Sequence, residues 1–168
     1  MLADSTAESP APVESLRARV WAYLDEPDGE QAERLLQALL ADPDASIESV
    51  SREIQAGRSY RPQPVGTMPD KQVAVHDRSY SYALAVPLTY QPAKGYGLVV
   101  CLHGAGFTGD AYLERWQSRL GDEYILVCPT YPAGAWFTRR AEELVLAVIR
   151  SVQSRYHIDP DQIGRAHV

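Results

Sequence analysis

The sequence predicts an α/β fold in which antiparallel edge strands lead into parallel strands with flanking helices, and a short helical segment precedes the sheet. Two observations lead to this prediction. Apolar residues recur at helical spacing up to about residue 57 and alternate at strand spacing after residue 70. Strand-like and helix-like segments then follow each other in turn, which is typical of a sheet that becomes parallel and is covered by helices.

Composition and charge limit the classes of function. Hydrophobic residues make up 45% and charged residues 23% of the chain, which is typical of a globular protein with a buried core. The net charge of −6 argues against a nucleic-acid partner, because phosphates are bound by clustered Lys and Arg. No apolar run approaches the roughly 20 residues that span a bilayer. The N terminus lacks the basic and apolar regions of a secretory signal, so we expect a cytoplasmic protein.

The two cysteines, Cys101 and Cys128, each lie in an apolar strand-like run. Their spacing matches neither a metal-ligand pattern nor a dense disulfide pattern. We therefore expect small buried hydrophobic residues in a reducing compartment.

Changes in composition divide the chain. Residues 1–12 predict a disordered tail, and residues 13–57 predict a helical extension of three short helices. This extension is expected to pack on the following domain; a lid or a partner-docking segment is the alternative. Residues 58–70 contain three prolines and one glycine and predict a linker. The domain that follows covers residues 71–162.

Within this domain the pattern predicts an antiparallel strand pair, then buried strands alternating with helices. The predicted elements, in chain order, are strands Lys71–His76, Tyr80–Val86 and Leu98–Leu102, a helix over Asp110–Leu120, strand Tyr124–Cys128 and a helix over Thr138–Arg155.

A glycine-rich loop follows the strand that ends at Leu102. Gly104, Gly106 and Gly109 fit the dinucleotide-binding pattern G-x-G-x-x-G, after a strand and before a helix. A Rossmann-type oxidoreductase is therefore one alternative. That fold needs an acidic residue about 20 residues further on, and residues 128–131, Cys-Pro-Thr-Tyr, supply none. The same glycines also leave backbone N–H groups open to bind an oxyanion.

Three segments carry a family resemblance. Residues 98–106, Leu-Val-Val-Cys-Leu-His-Gly-Ala-Gly, resemble the strand and His-Gly loop of the α/β-hydrolase superfamily, in particular its carboxylesterase/phospholipase, dienelactone-hydrolase-like and polyhydroxybutyrate-depolymerase-like groups. Residues 80–87 resemble the tyrosine-rich strand that ends in Val-Pro. Residues 156–163 resemble the turn that introduces the nucleophile strand. The resemblance implies that residues 71–162 are the N-terminal half of a truncated α/β-hydrolase domain.

The resemblance also implies roles in an oxyanion hole. The backbone N–H of Ala105 is the expected oxyanion donor, and Gly104 and Gly106 shape the loop and offer a second contact. His103 is expected to support the loop as scaffold. The second donor of the family comes from the residue after the nucleophile.

Three aromatic residues are candidates for binding the substrate. Trp136 and Phe137 are expected on a loop at the carboxyl end of a strand, where pockets form in open sheets, and Phe107 lies within the glycine loop. Packing of Trp136 and Phe137 in the core is the alternative. The expected substrate is a small-molecule carboxylic ester, with no metal and no organic cofactor.

The catalytic triad of such an enzyme is missing from the sequence. The nearest match to Gly-x-Ser-x-Gly, at residues 57–61, lacks the second glycine and follows a helix, so chance explains it. His76, His157 and His167 are interpreted as a strand, a turn and a terminal residue. The chain is thus predicted to be an inactive fragment of an esterase. A prolyl-oligopeptidase-like peptidase and a non-catalytic binding module are further alternatives.

The last six residues suggest an origin outside the gene. Residues 163–168, Ile-Gly-Arg-Ala-His-Val, are identical to one translated frame of a common sequencing adapter. We expect this tail to be an adapter-derived artefact, in which case the parent protein continues. A genuine C terminus is the alternative.

Overall fold

The computed structural model describes residues 14–26, 28–132 and 135–167. The chain divides into two compact units, Met1–Arg58 and Ser59–Val168. The tail predicted for residues 1–12 lies outside the described residues. No helix among the described residues is long and apolar enough to cross a membrane.

The described part of the first unit contains three helices, in the range where the sequence predicts them. Each helix begins after a side chain that accepts a hydrogen bond from a backbone N–H of the first turn, and these capping residues are Ser15, Asp28 and Ser46. Among the described residues of the unit, Val20 and Leu39 are the buried apolar side chains. The helices are α1 (Leu16–Asp25), α2 (Gly29–Leu40) and α3 (Ile47–Gln55).

The second unit is built around a five-stranded mixed sheet of order β1-β2-β4-β3-β5. The β1/β2 and β2/β4 pairs are antiparallel, whereas β3 pairs in parallel with β4 and with β5. Antiparallel edge strands therefore lead into parallel strands, which confirms the predicted fold class. The elements are β1 (Gly66–Val75), β2 (Arg78–Val86), β3 (Tyr96–Leu102), α4 (Gly109–Leu120), β4 (Ile125–Pro129), α5 (Arg139–Gln153) and β5 (Ile158–His167).

Helices cover both faces of this sheet. Alternate side chains of a strand point to opposite faces, so β3 contributes Val100 to one apolar cluster and Cys101 to the other. The first cluster contains Leu144 and Val148 of α5, and the second contains Leu113 of α4. The central strands are consequently buried on both sides, as continuous apolar runs predict.

The linker prediction needs a correction. The sequence places the linker at 58–70, but β1 begins at Gly66, where it pairs with Val86. The register of the β1/β2 pair shifts between Met68 and Lys71, so Pro69 and Asp70 are not paired with a residue of β2. Asp70 has a φ of 55° there. An edge strand tolerates a proline at a bulge because its missing N–H breaks no essential ladder bond.

The hairpin turn corrects the assignment of His76. This residue was expected in a strand, but it follows β1 in the two-residue turn to β2, with a φ of 54°. Its ring Nε2 lies 3.1 Å from Glu143 Oε2 on α5. That hydrogen bond is the largest cause of the lowered pKa of the Glu143 carboxyl.

The C-terminal segment also differs from its prediction. Residues 156–163 were expected to form a turn and 163–168 an artificial tail, but Ile158–His167 is assigned as strand β5 beside β3. A turn is nevertheless present within this strand, because Asp159 Oδ1 accepts the N–H of Asp161 and the register of the β3/β5 pair shifts there. The adapter origin of the tail stays a prediction.

The two cysteines are buried and unbridged. They follow the paired residues Val100 and Val127 on neighbouring strands. A side-chain hydrogen bond with Cys101 is the largest cause of the raised pKa of the Cys128 thiol, and burial is the next largest. A thiol held in its neutral form behaves as a small hydrophobic residue.

Gly109 sets the distance between α4 and the sheet. A Cβ at this position would lie 2.0 Å from the carbonyl oxygen of Cys128. The Gly109 N–H also donates to Thr130 Oγ1 at 2.8 Å. The first turn of α4 thus rests directly on the backbone at the end of β4.

Replacing Gly109 with Ala should destabilise the second unit, because the added methyl group meets rigid backbone. Overpacking of this kind costs about 1–3 kcal/mol, and we expect a loss toward the upper end of that range. Guanidinium unfolding followed by circular dichroism measures it. The matched control is Gly164→Ala on β5, where an added Cβ has no neighbour within 4 Å. Equal unfolding midpoints for the two variants would contradict the close approach.

Candidate functional site

The chain reverses its winding direction at β3, and this creates a crevice. From β3 the chain passes through α4 to β4 on one side, and from β4 it returns through α5 to β5 on the other side. Open sheets bind ligands at such a switch point, outside the carboxyl ends of the strands. The residues that follow β3 therefore face the crevice, and Leu102 pairs there with His167.

The glycine loop lies at this crevice and exposes two free amide groups. The carbonyl oxygen of Gly104 accepts the N–H of Phe107 at 3.3 Å, which closes a turn. Gly106 has a φ of 82°, a conformation that side chains with a Cβ rarely adopt. Ala105 and Gly106 are exposed, and among the described residues their N–H groups have no acceptor. The loop thus offers donors at the place where the topology predicts a ligand.

His103 is completely buried directly before this loop. Its Nε2 accepts the backbone N–H of Tyr131 at 3.1 Å, and its Nδ1 lies 2.8 Å from the carbonyl oxygen of Gly104. An acceptor at Nε2 and a carbonyl partner at Nδ1 require the neutral ring with its proton on Nδ1. Both nitrogens are occupied, so His103 is a structural support of the loop and has no nitrogen left to exchange a proton with a ligand.

Trp136 holds the same stretch of backbone from the other side. Its indole N–H donates to the carbonyl oxygen of His103 at 2.7 Å. Its ring packs edge-on against the His103 ring, with centroids 5.1 Å apart, and also contacts Tyr131. Thr138 caps α5 two residues later, which fixes the position of Trp136 relative to the helix.

The three candidate aromatic residues have different surroundings. Phe107 is 54% exposed in the glycine loop, and Phe137 is 92% exposed before α5. Trp136 is half-buried in the contacts with His103. An open groove of about 510 Å³ runs beside Trp136 and Phe137 on the α5 face of the sheet, whereas Phe107 contacts Tyr112 of α4. Its lining includes Trp136, Phe137, Leu102, Val145, Ile149 and Arg165.

His76 and His157 lie away from this site, whereas the backbone of His167 pairs with Leu102 at the crevice. The carbonyl of His157 accepts the N–H of Tyr96, at the opposite end of β3 from the glycine loop. His76 lies at the hairpin turn and binds Glu143. Within the described ranges, no cluster of three or more His, Cys, Asp or Glu side chains is arranged to hold a metal ion. The site as described therefore contains backbone N–H donors and the side chains that support the loop.

Sequence reasoning missed two supporting residues. Thr130 receives the Gly109 N–H, and the Tyr131 N–H binds the His103 ring. The signal for both was their position directly after a buried strand that ends beside the glycine loop. Their partners lie 21 and 28 residues earlier in the chain, so only the sheet order reveals the contacts.

Comparison with known proteins finds similarity in structure only. No protein-family model and no curated protein matches this chain. Similar solved structures include a thermostable esterase (23% identity over 59% of this chain and 33% of that one, TM-score 0.47). They also include an arylesterase, with 18% identity over 84% of this chain and 49% of that one and a TM-score of 0.47. A thermophilic carboxylesterase cloned from a metagenomic library has 25% identity over 70% of this chain and 40% of that one, with a TM-score of 0.46. The chain thus spans between 33% and 49% of the length of these three esterases.

The tautomer of His103 is a direct test of the loop's support. We expect the Nδ1–H form because the Tyr131 N–H already donates to Nε2. Nitrogen NMR shifts of the labelled imidazole ring distinguish the two nitrogens. A proton on Nε2 would contradict the hydrogen-bond assignment, because Nε2 would then face a second donor. Tyr131→Phe is the control, since it changes the side chain and keeps the backbone N–H.

Proposed function

We propose that this chain is the N-terminal half of a serine hydrolase of the α/β-hydrolase superfamily that acts on small carboxylic esters. The observation that carries the proposal is the pair of amide groups at Ala105 and Gly106, which have no acceptor among the described residues and lie at the crevice between the ends of β3 and β5. In this role the loop is one side of an oxyanion hole.

Ester hydrolysis needs such donors because negative charge develops on the carbonyl oxygen in the tetrahedral transition state. One well-aimed donor typically contributes about 3–4 kcal/mol of transition-state stabilisation. The contribution is large only where the donor is oriented in advance. Here the hydrogen bond from the His103 ring to the Gly104 carbonyl oxygen orients the Ala105 N–H, which belongs to the same peptide unit.

The register of β5 supports a place for the missing nucleophile. A native strand that continues from Gln162 in the position of β5 would end beside Leu102, so the residues after it would lie beside His103, Gly104 and Ala105. A serine on a sharp turn at this point would direct its Oγ toward a carbonyl carbon whose oxygen binds the loop. The residue after that serine would supply the second donor. A general-base histidine and its acid would come from later in the parent chain. Without these groups the chain itself has no hydrolytic activity.

The same register bears on the C-terminal tail, for which we keep the adapter origin as a proposal. Arg165 pairs with Val100, and both line the groove together with Ile163 and Leu102. A charged side chain on an otherwise apolar strand face is unusual for a strand that later elements of the sheet should cover. This mismatch supports a non-native origin of residues 163–168.

Dinucleotide binding is the second candidate, and one observation favours it. Gly109 makes the close contact between helix and strand that the third glycine of the dinucleotide pattern provides. The residue after β4 argues against it, because Thr130 carries no carboxylate for a ribose and its hydroxyl is already bound to Gly109.

A peptidase of the prolyl-oligopeptidase type would use the same oxyanion loop on an amide. For either hydrolase the reducing environment expected for the cysteines supports a cytoplasmic location.

Removing one loop donor from the complete enzyme tests the hydrolase proposal. Ala105→Pro deletes the N–H, and we expect kcat for p-nitrophenyl acetate to fall about 10²–10³-fold, the usual effect of one lost oxyanion donor. Ala105→Gly keeps the N–H and should retain most of the activity. Circular dichroism checks that both variants fold. Full activity in a folded Ala105→Pro enzyme would place the oxyanion hole elsewhere.

Titration of the 168-residue chain with NADH tests the second candidate. Trp136 lies beside the loop, so a dinucleotide bound there should quench its fluorescence. Our account predicts no saturable quenching. The control is Trp136→Phe, which removes the reporter and identifies quenching at Trp21 or Trp116. Saturable quenching that disappears in this variant would favour the dinucleotide site over the oxyanion hole.

A further inference from the structure

We propose that Trp136 is a positioning residue: its indole N–H fixes the peptide plane between His103 and Gly104 and so directs the Gly104 N–H, while its ring packs against the His103 ring that sets the Ala105 N–H. This inference rests on the proposed function for its catalytic consequence. The geometry on which it depends is independent of any activity.

The first step of the argument is the shape of a peptide unit. In a trans peptide the C=O and N–H bonds are coplanar and point in opposite directions. The Trp136 indole holds the His103 carbonyl oxygen at 2.7 Å, so the Gly104 N–H must point away from the indole. No peptide bond of the described chain is cis, so this relation holds at Gly104. One side-chain donor therefore sets the direction of a backbone donor on the opposite side of the plane.

The His103 ring does the same for the next plane. Its Nδ1 donates to the Gly104 carbonyl oxygen at 2.8 Å, and the Phe107 N–H donates to the same oxygen. The Ala105 N–H belongs to that peptide unit and must point the opposite way. Two successive planes, with the amides of Gly104 and Ala105, are thus set by two neighbouring rings. Gly104 itself has backbone freedom that would otherwise allow either plane to rotate.

The hydrogen bond of Trp136 separates it from the other tryptophans. Trp21 Nε1 and Trp116 Nε1 are buried, and within the described residues neither has a hydrogen-bond partner. All three tryptophan side chains are half-buried, so ring burial does not distinguish them. Among the described residues, Trp136 differs in that its N–H makes a short bond to the backbone directly before the loop. Packing of the ring therefore does not explain the hydrogen bond that the Trp136 indole N–H makes.

The position of Trp136 links the loop to the start of α5. The Thr138 N–H donates to the Ala135 carbonyl oxygen at 3.3 Å, and Thr138 Oγ1 contacts the Tyr131 hydroxyl at the same distance. These bonds hold the turn that carries Trp136 against the strand end that supplies the Tyr131 N–H. The indole and the His103 ring accordingly approach the loop from one rigid assembly.

The test compares two matched variants of the 168-residue chain. Trp136→Phe keeps an aromatic ring and removes the N–H donor, whereas Trp116→Phe removes an N–H that has no partner in the described structure. In amide NMR spectra of nitrogen-labelled protein, Trp136→Phe should move the Gly104 and Ala105 resonances several times further than Trp116→Phe does. Equal, small shifts in the two variants would overturn the proposal.

A measurement on the unmodified chain keeps the proposal falsifiable if Trp136→Phe does not fold. The Trp136 indole proton should exchange with solvent more slowly than an exposed indole and resonate downfield of the Trp21 and Trp116 indole protons, because it alone of the three has a hydrogen-bond acceptor in the described structure. A Trp136 indole proton that exchanges at the rate of free tryptophan would show that the bond to His103 is absent.

Kinetics of the complete enzyme separate this inference from the proposed function. We expect Trp136→Phe to lower kcat about tenfold with KM unchanged. Misaligned donors reduce the stabilisation of the transition state and leave substrate binding intact. Trp116→Phe should change neither constant. An inactive wild-type enzyme would reject the proposed function and leave the NMR result standing, whereas an active enzyme insensitive to Trp136→Phe would reject only the positioning role.

Discussion

The hydrogen bonds of the buried His103 ring are the constraint on which the candidate site depends. A fully buried imidazole must satisfy both nitrogens, because an unsatisfied buried polar atom costs about 1–3 kcal/mol. The ring satisfies Nε2 with the Tyr131 N–H and Nδ1 with the Gly104 carbonyl oxygen. Satisfying the ring therefore ties the end of β4 to the loop after β3. The loop keeps its shape as a consequence, and its outward amides remain free for a ligand.

The sheet brings these parts together. Because β4 and β5 lie on opposite sides of β3, the connection from β3 to β4 leads away from β5 and leaves a crevice at the carboxyl ends of β3 and β5. Gly109 brings α4 into contact with the backbone at the end of β4, and α5 covers the opposite face. The apolar groove beside α5 and the open edge of β5 lie where further elements of a longer sheet would pack. Such a surface favours association while it is uncovered.

Much of the fold follows from local sequence patterns, and the site follows from them only in part. Alternation and apolar runs predict the strands from Tyr80 onward, and the glycine spacing identifies the loop at Gly104–Gly109. The start of β1 is missed because Pro69 is typical of a linker, whereas a bulge in an edge strand accommodates it. The roles of Tyr131 and Trp136 depend on contacts with His103 across 28 and 33 residues, which no local pattern contains.

Sequencing the parent DNA across codon 162, with primers independent of the original library, tests the central claim most directly. The account places a nucleophile beside the glycine loop, directly after the strand that pairs with β3. It predicts that the reading frame continues beyond Gln162 through an apolar strand into Gly-x-Ser-x-Gly. A stop codon directly after Val168, or a continuation without a serine at this turn, would contradict it.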